Sequence, residues 1–140
     1  SASISKLKEK NALVGSTETY GDHFLVDLHG CDASVIGSVE PTQEALLAAA
    51  KRCGSTIIKY FFHQFSPTGV SGVILIAESH FSVHTWPENN FVAVDIYTSG
   101  EVMKPDIAIA FLQDAFNAQR VEVFRVTRGQ IEAGAVQDDE

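Results

Sequence analysis

The chain has 140 residues and a formal net charge of −8 at pH 7, with 45% hydrophobic and 20% charged residues. This composition is typical of one soluble globular domain, and the apolar runs are too short to span a bilayer. The acidic balance argues against a nucleic-acid partner, which would need clustered Lys and Arg. No charged-then-apolar leader opens the sequence, and Cys31 and Cys53 are too few for a disulfide framework. We therefore expect reduced thiols and a cytoplasmic location.

In the first half of the chain, the residue pattern predicts a strand, a helix and two further strands. The strands are apolar or rich in β-branched and aromatic residues, and glycine or turn residues bound them: His23–Gly30, Thr56–Phe65 and Ser71–Glu78. The helix is predicted to begin at Pro41, whose fixed φ suits a first turn, and to end at Gly54. Residues 1 to about 20 show neither periodicity, and we expect a short helix or an arm there.

In the second half, a turn at Pro87–Asn90 leads into a predicted strand, Phe91–Tyr97. A second helix is predicted from Pro105, and Val121–Val126 alternates as a last strand. The acidic tail from Gln130 lacks a pattern, and we expect it to be mobile. The order β-α-β-β and then β-β-α-β is close to a pseudo-repeat. It predicts an α/β (α+β) two-layer sandwich, in which a mostly antiparallel sheet carries helices on one face.

One stretch, Ala77–Glu88, is unusually polar for a strand, with two serines, two histidines and two glutamates. If it is extended, His80 and His84 lie on one face and Ser79 lies on the other. An antiparallel sheet with one wet side gives the same alternation, so the pattern alone leaves both a site and a solvated face possible. The two histidines would need a third ligand to hold zinc. No Cys or His pair nearby in the sequence supplies it, and no metal site is predicted.

The wording of this region carries a family resemblance. Gly69–His80 and its continuation His84–Glu88 closely resemble the self-processing region of prokaryotic S-adenosylmethionine decarboxylases, and looser similarity extends from about His23 to Arg128. The resemblance implies a pyruvoyl-dependent decarboxylase of polyamine biosynthesis. It also implies a single domain that forms a homodimer or higher homo-oligomer, with active sites at or near the interface.

The resemblance places a backbone cut between Glu78 and Ser79, which would divide residues 1–140 into 1–78 (the β chain) and 79–140 (the α chain). In the family, a serine hydroxyl attacks the preceding carbonyl, and the acyl group shifts from nitrogen to oxygen. Elimination and hydrolysis then turn the serine into a pyruvoyl group. This covalent cofactor forms an imine with the substrate amine and is the electron sink when carbon dioxide leaves.

The resemblance also assigns processing roles to Ser71 and His84, the histidine moving protons near neutral pH. A geometric difficulty accompanies this assignment, because Ser79 and His84 face opposite ways in a regular strand. Either His84 acts on the peptide carbonyl and not on the hydroxyl, or the chain is kinked between them.

Substrate contacts are implied at Phe65, which would stack on the adenine, and at Glu88, which would accept hydrogen bonds from the ribose hydroxyls. The acidic net charge is compatible with a cationic substrate. At the position of Ser99, relatives have a cysteine that is thought to protonate the carbanion left by decarboxylation. A thiol titrates near pH 8.5 and a serine hydroxyl is far weaker, so Ser99 is expected to be a poor acid, although it could orient a water molecule.

Two alternatives stay open beside decarboxylation of S-adenosylmethionine. Some similar proteins resemble pyruvoyl-dependent decarboxylases of L-ornithine or L-arginine, which need a carboxylate for the distal cation; the candidates are Asp27, Glu88 and Asp95. The other alternative is a non-catalytic regulatory homologue. The intact processing set argues against it: Ser71, Glu78, Ser79 and His84.

Overall fold

The computed structural model describes the backbone of residues 7–10, 16–99, 102–129 and 131–132, and the side chains of residues 19–99 and 102–129. The strands are β1 (Leu7–Lys10), β2 (Ser16–Glu18), β3 (Gly21–His29), β4 (Ile57–Gln64), β5 (Val70–Ile76), β6 (Ser79–Trp86), β7 (Phe91–Thr98), β8 (Arg120–Arg128) and β9 (Ile131–Glu132). The helices are α1 (Ala33–Ile36), α2 (Val39–Arg52), α3 (Pro105–Ala115) and the short 3-10 helix Pro87–Asn89.

Seven strands form one sheet in the order β1-β8-β3-β7-β6-β5-β4, and β2 pairs with β9 in a separate ribbon. Every neighbouring pair in the large sheet is antiparallel except β1 and β8, which are parallel. The helices α2 and α3 cover one face of this sheet. The predicted two-layer α+β fold with a mostly antiparallel sheet is confirmed. In the part of the chain that the structure describes, no helix is long and apolar enough to cross a membrane.

The core lies between the sheet and the helices, and strand alternation fills it. In β6, Phe81 and Val83 are fully buried, whereas His80 and His84 lie on the other face. The helices contribute apolar residues at helical spacing: Leu46, Ala49, Ile109 and Leu112. Burying a side chain such as Leu or Phe contributes about 1.5–3 kcal/mol, so this face is strongly specified.

The structure moves several predicted boundaries by one or two residues, and two of these shifts lie close to the candidate site. Helix α2 begins at Val39, two residues before Pro41, because the backbone N–H of Val39 donates to Oε1 of Gln64 at 2.7 Å and so gains a partner outside the helix. The strand predicted to reach Glu78 ends at Ile76, and a two-residue turn follows before β6.

The expectation of a short helix or an arm near the start is wrong for Leu7–Lys10, which forms the edge strand β1 beside β8. Four residues, three of them charged, are too short a run for strand alternation to be recognised in the sequence. The short helix Ala33–Ile36 was also not predicted; Asp32 caps it by accepting from the Ser34 N–H at 3.0 Å. The acidic tail lies outside the described residues except for Ile131–Glu132, the strand β9.

Two buried threonines on the inner face of the sheet have opposite hydrogen-bond status. Thr85 Oγ1 donates to the Ile36 carbonyl and accepts from the Val70 N–H, both at 2.9 Å. Thr98 Oγ1 is buried and has no hydrogen-bond partner among the described residues. The two positions therefore form a matched pair for measuring what a satisfied hydroxyl contributes.

We expect Thr85→Val to lower the free energy of unfolding by about 2–4 kcal/mol, because a buried donor and a buried acceptor lose their partner. Thr98→Val should leave stability unchanged or raise it by about 1 kcal/mol, because it removes an unsatisfied hydroxyl. Urea denaturation of both variants at one protein concentration measures the difference. Equal losses at the two sites would contradict the assignment of Thr98 as unsatisfied.

Candidate active site

The peptide bond that the resemblance marks for cleavage lies where the turn after β5 enters β6. Ile76 and Ser79 are paired across this hairpin, so Ala77 and Glu78 form its two-residue turn. The backbone of Thr56 holds the turn from the side: its carbonyl accepts from the Ala77 N–H at 2.8 Å, and its N–H donates to Glu78 Oε1 at 3.1 Å. These two hydrogen bonds hold the turn and the Glu78 side chain, and neither of them uses the Glu78 backbone carbonyl.

The carbonyl oxygen of Glu78 accepts two hydrogen bonds from one residue. The Ser99 N–H donates to it at 3.0 Å, and the Ser99 hydroxyl donates at 2.6 Å. Two donors on one carbonyl oxygen are the arrangement that stabilises negative charge when a nucleophile adds to the carbonyl carbon. The sequence had suggested Ser99 only as a weak proton donor, and this contact with Glu78 is a second capability of the same residue.

Neither cysteine of the chain supplies a thiol in place of Ser99. Cys31 and Cys53 are free and buried, and burial raises the pKa of Cys31 to about 12. Burial raises the pKa of Cys53 as well. Both thiols are therefore protonated and enclosed in the core at neutral pH.

Ser79, the predicted nucleophile, is half-buried and is paired with Ile76 on one side and Thr98 on the other. Its Oγ lies 3.5 Å from Nδ1 of His80. The residue that follows Ser79 in the chain is thus the one whose ring approaches its hydroxyl. His80 was considered in the sequence only as a zinc ligand.

His80 belongs to a cluster of rings that the sequence did not reveal. Its ring centroid lies 6.2 Å from that of His23 and 5.6 Å from that of Tyr97, both in edge-on contacts. His23 Nε2 is 3.2 Å from Asp95 Oδ1, and the Ser82 hydroxyl donates to Asp95 Oδ2 at 2.8 Å. These residues come from β3, β6 and β7, so only the strand order brings them together.

A second group of predicted site residues lies further along the same hairpin. Ser71 and His84 are directly opposite each other on β5 and β6, and Ser71 Oγ is 2.8 Å from His84 Nδ1. The His84 ring is exposed, with its centroid 6.3 Å from that of Trp86. The structure therefore joins the two predicted processing residues in a hydrogen-bonded pair, which we call the Ser71–His84 pair.

Phe65 and Glu88 lie at this same end. Phe65 is 47% exposed, and its N–H donates to the Gly69 carbonyl at 2.8 Å. A Cβ added at Gly69 would lie 3.8 Å from Cδ of Pro87, so the loop passes close to the 3-10 helix that contains Glu88. An exposed aromatic ring and an exposed carboxylate thus flank one loop, which suits a ligand with a flat base and hydroxyl groups.

Gln64 holds this loop in place, a role that its sequence position did not suggest. Its Nε2 donates to the carbonyls of Gly37, Phe65 and Gly69 at 2.9–3.0 Å. Because its Oε1 accepts from the start of α2, one side chain connects the helix, the loop and the predicted adenine-stacking residue.

The two groups do not meet within one chain. A strand rises about 3.4 Å per residue, so Ser79 and His84 are separated by about 17 Å along β6. Glu88 lies beyond His84 in the same direction. Within one chain, Glu78, Ser79 and Ser99 are therefore remote from the Ser71–His84 pair and from Phe65.

The sheet face opposite α2 and α3 combines these groups with apolar side chains. The exposed hydrophobic residues on this outer face are Leu25, Phe61, Val73, Leu75 and Trp86. They surround His80 and His84 on the same face. An exposed apolar area of this kind is typical of an interaction surface.

The outer face also carries the acidic residues that were considered for a distal substrate cation. Asp27, His29 and Glu122 place one ligand atom each within 4.8 Å of one another. Burial raises the pKa of Asp27, and Arg120 NH1 lies 3.2 Å from Glu122 Oε2. The arginine already supplies a cation to this cluster, and we assign no metal to it.

The third acidic candidate, Asp95, is also engaged. Its two carboxylate oxygens face His23 and Ser82, as described for the ring cluster. Glu88 is the exposed one of the three candidates.

Comparison with known proteins agrees with this fold. The family model of S-adenosylmethionine decarboxylase matches residues 22–129. Among solved structures, the adenosylmethionine decarboxylase of Aquifex aeolicus superposes with a TM-score of 0.78 at 39% identity, covering 86% of this chain and 100% of that one.

Two curated relatives are similar over most of their length. The S-adenosylmethionine decarboxylase proenzyme of Pyrococcus abyssi is 45% identical over 112 residues, which are 80% of this chain and 81% of the relative. The proenzyme of Acidithiobacillus ferrooxidans is 41% identical over 112 residues, 80% of this chain and 84% of the relative. The fold and these matches place the chain among decarboxylases with a two-layer α+β fold. The chain belongs to the S-adenosylmethionine decarboxylase family.

Proposed function

We propose that this chain is a pyruvoyl-dependent S-adenosylmethionine decarboxylase that matures by cutting its own backbone between Glu78 and Ser79. The products would be residues 1–78 and 79–140 of one domain. The observation that carries the proposal is the Glu78 carbonyl, whose oxygen accepts both donors of Ser99. The carbonyl at the predicted cut is thereby prepared for attack by the next hydroxyl in the chain.

The chemistry follows from these contacts. Attack of Ser79 Oγ on the Glu78 carbonyl carbon places negative charge on the oxygen that Ser99 already contacts. Breaking the C–N bond leaves an ester, with the amine of residue 79 released. Loss of the α-proton of residue 79, with the main-chain carboxylate of Glu78 as the leaving group, gives dehydroalanine. Water then replaces the nitrogen of residue 79, which leaves as ammonia. The resulting pyruvoyl ketone would serve as the electron sink when the bound amino acid loses carbon dioxide.

We propose that the Ser71–His84 pair removes the α-proton, and that a second copy of the chain supplies this pair. The pair lies about 17 Å from Ser79 in its own chain, counted along the strand. Two-fold stacking of the outer faces would bring the pair, Phe65 and Glu88 of one copy to Ser79 of the other. It would also bury the apolar side chains of that face, as closed dimers require.

Mixed dimers test this arrangement. We expect a His84→Ala chain to stay intact when it is expressed alone, and to be cut when it is co-expressed with a Ser79→Ala chain. In the mixed dimer, one site combines the intact Ser79 of the first chain with the intact His84 of the second. Differently tagged chains followed by mass spectrometry give the result.

Co-expression of the His84→Ala chain with a Ser79→Ala/His84→Ala chain is the matched control and should give no cut. A His84→Ala chain that stays intact in both pairings would show that the pair acts within its own chain.

The substrate proposal rests on Phe65 and Glu88. An exposed ring and an exposed carboxylate at one loop suit the adenine and the ribose of a nucleoside, and the acidic chain suits a sulfonium cation. Carbon dioxide release from the matured protein tests this. We expect release from S-adenosylmethionine, and Phe65→Ala should raise KM more than it lowers kcat because it removes a binding contact.

Ser99 in place of a thiol favours a second candidate, an L-ornithine or L-arginine decarboxylase that protonates its carbanion differently. Such an enzyme needs a carboxylate for the distal cation, and Glu88 is the exposed candidate. The same assay with each amino acid separates the two functions. Release from L-ornithine or L-arginine, without release from S-adenosylmethionine, would identify the second.

A further inference from the structure

We propose that the His80 ring accepts the Ser79 hydroxyl proton as that oxygen attacks the Glu78 carbonyl, and returns it to the leaving nitrogen. The inference rests on the self-processing proposed above. It divides the work between two histidines: His80 would act in the first step, and His84 of a second copy in the later elimination.

The His80 ring lies beside the Ser79 hydroxyl. His80 Nδ1 lies 3.5 Å from Ser79 Oγ, at the outer limit of a hydrogen bond. Catalytic hydrogen bonds are often this long in a resting state and shorten as the reaction begins. The Glu78 carboxylate instead accepts from the Thr56 N–H, and His84 is bonded to Ser71.

Neighbouring rings fix the orientation of the His80 ring. The His80 ring meets His23 and Tyr97 edge-on, so two neighbours limit its rotation. His23 is itself held by Asp95, whose second oxygen accepts from Ser82. Residues of β3 and β7 therefore position the ring before self-cleavage begins. A general base needs this fixed approach more than it needs a strong affinity for protons.

The surroundings of His80 favour its neutral form. Burial lowers its pKa, and the neighbouring His23 and Arg128 lower it further, while Asp95 opposes them. The ring is therefore neutral near pH 7. With its proton on Nε2, it presents a lone pair on Nδ1 to the Ser79 hydroxyl.

The step balances in atoms and charge. The Ser79 Oγ–H bond breaks and its proton moves to Nδ1, while Oγ bonds to the Glu78 carbonyl carbon. The carbonyl oxygen takes the negative charge beside the two Ser99 donors. The C–N bond then breaks, the carbonyl reforms as an ester, and Nδ1 gives its proton to the departing nitrogen of Ser79. His80 ends as it began.

The test compares maturation rates of newly made chains by mass spectrometry. We expect His80→Ala and His80→Gln to be cut about one hundredfold more slowly than the parent, the usual contribution of a positioned base. Gln keeps the hydrogen-bonding capacity but cannot take a proton. His29→Gln is the matched control, because His29 is also a half-buried histidine of the outer face, packed on Phe91. It should mature at the parent rate.

Hydroxylamine locates the blocked step, because it cuts esters and leaves amides intact. Intact His80→Ala chains should resist it, whereas intact His84→Ala chains should be cut between Glu78 and Ser79. Thermal melting checks that the His80→Ala and His80→Gln variants are folded.

Three results would overturn the inference: parent-like maturation of His80→Ala, recovery of the rate by His80→Gln, or ester accumulation in His80→Ala. None of them touches the proposed self-cleavage between Glu78 and Ser79, which fails if the parent chain itself never divides.

Discussion

Replacing Ser79 by alanine should abolish maturation completely. The variant lacks the oxygen that must attack the Glu78 carbonyl, so no ester can form and no pyruvoyl group can follow. We expect one intact mass for Ser79→Ala and two fragments for the parent, the second beginning at position 79 without its amino group. Intact-mass spectrometry of freshly purified protein measures this. Borohydride with a substrate amine should tag the carboxy-terminal fragment of the parent and nothing in the variant.

Ser34→Ala is a suitable control, because Ser34 is an exposed serine whose hydroxyl donates to Asp32 at the start of α1. It should divide like the parent. A Ser79→Ala chain that still gives the two fragments would mean that the cut lies elsewhere. A parent that stays whole under all conditions would favour the non-catalytic, regulatory alternative.

Strand alternation allowed much of the fold to be predicted from sequence, because alternation is a local property. The inward positions of β6, such as Phe81 and Val83, and the outward His80 and His84 follow from the two-residue period alone. The start of α2 does not, because its first N–H is satisfied by Gln64, which is 25 residues away. A contact of that kind leaves no local trace in the sequence.

The sequence names the candidate site as a set of residues but not as an arrangement. The resemblance named Ser79, Ser99 and the Ser71–His84 pair, and the structure brings Ser99 to the Glu78 carbonyl and Ser71 to His84. The expected difficulty between Ser79 and His84 includes the distance between them as well as the opposite directions of their side chains. His84 lies five positions after Ser79 in an extended strand, so one chain cannot bring both to the same reacting atom.

The ring cluster around His80 was missed for a topological reason. Its members His23, Asp95 and Tyr97 belong to β3 and β7, which are adjacent only because β7 inserts between β3 and β6. Sequence order gives no sign of this insertion. Asp95 was therefore considered only as a partner for a substrate cation, whereas it holds His23 and Ser82.

We expect the Ser99 hydroxyl to speed maturation, as a hydrogen-bond donor, and to limit turnover, as a poor acid. Ser99→Ala removes the hydroxyl donor at 2.6 Å and keeps the N–H donor at 3.0 Å, so the charge on the Glu78 oxygen loses one of two partners. We expect self-cleavage to slow by about one hundredfold, the usual effect of deleting one such donor. Timed mass spectra of the intact chain measure this rate.

Ser99→Cys separates the two roles. A thiol is a weaker hydrogen-bond donor than a hydroxyl, so maturation should slow, although less than in Ser99→Ala. A thiol is a far stronger acid, so the matured variant should release carbon dioxide from S-adenosylmethionine about tenfold faster per pyruvoyl group. Turnover normalised to the amount of the 79–140 fragment removes the maturation defect from the comparison. If Ser99→Cys instead matures faster and turns over no faster, Ser99 is neither the oxyanion donor in self-cleavage nor the position that limits protonation.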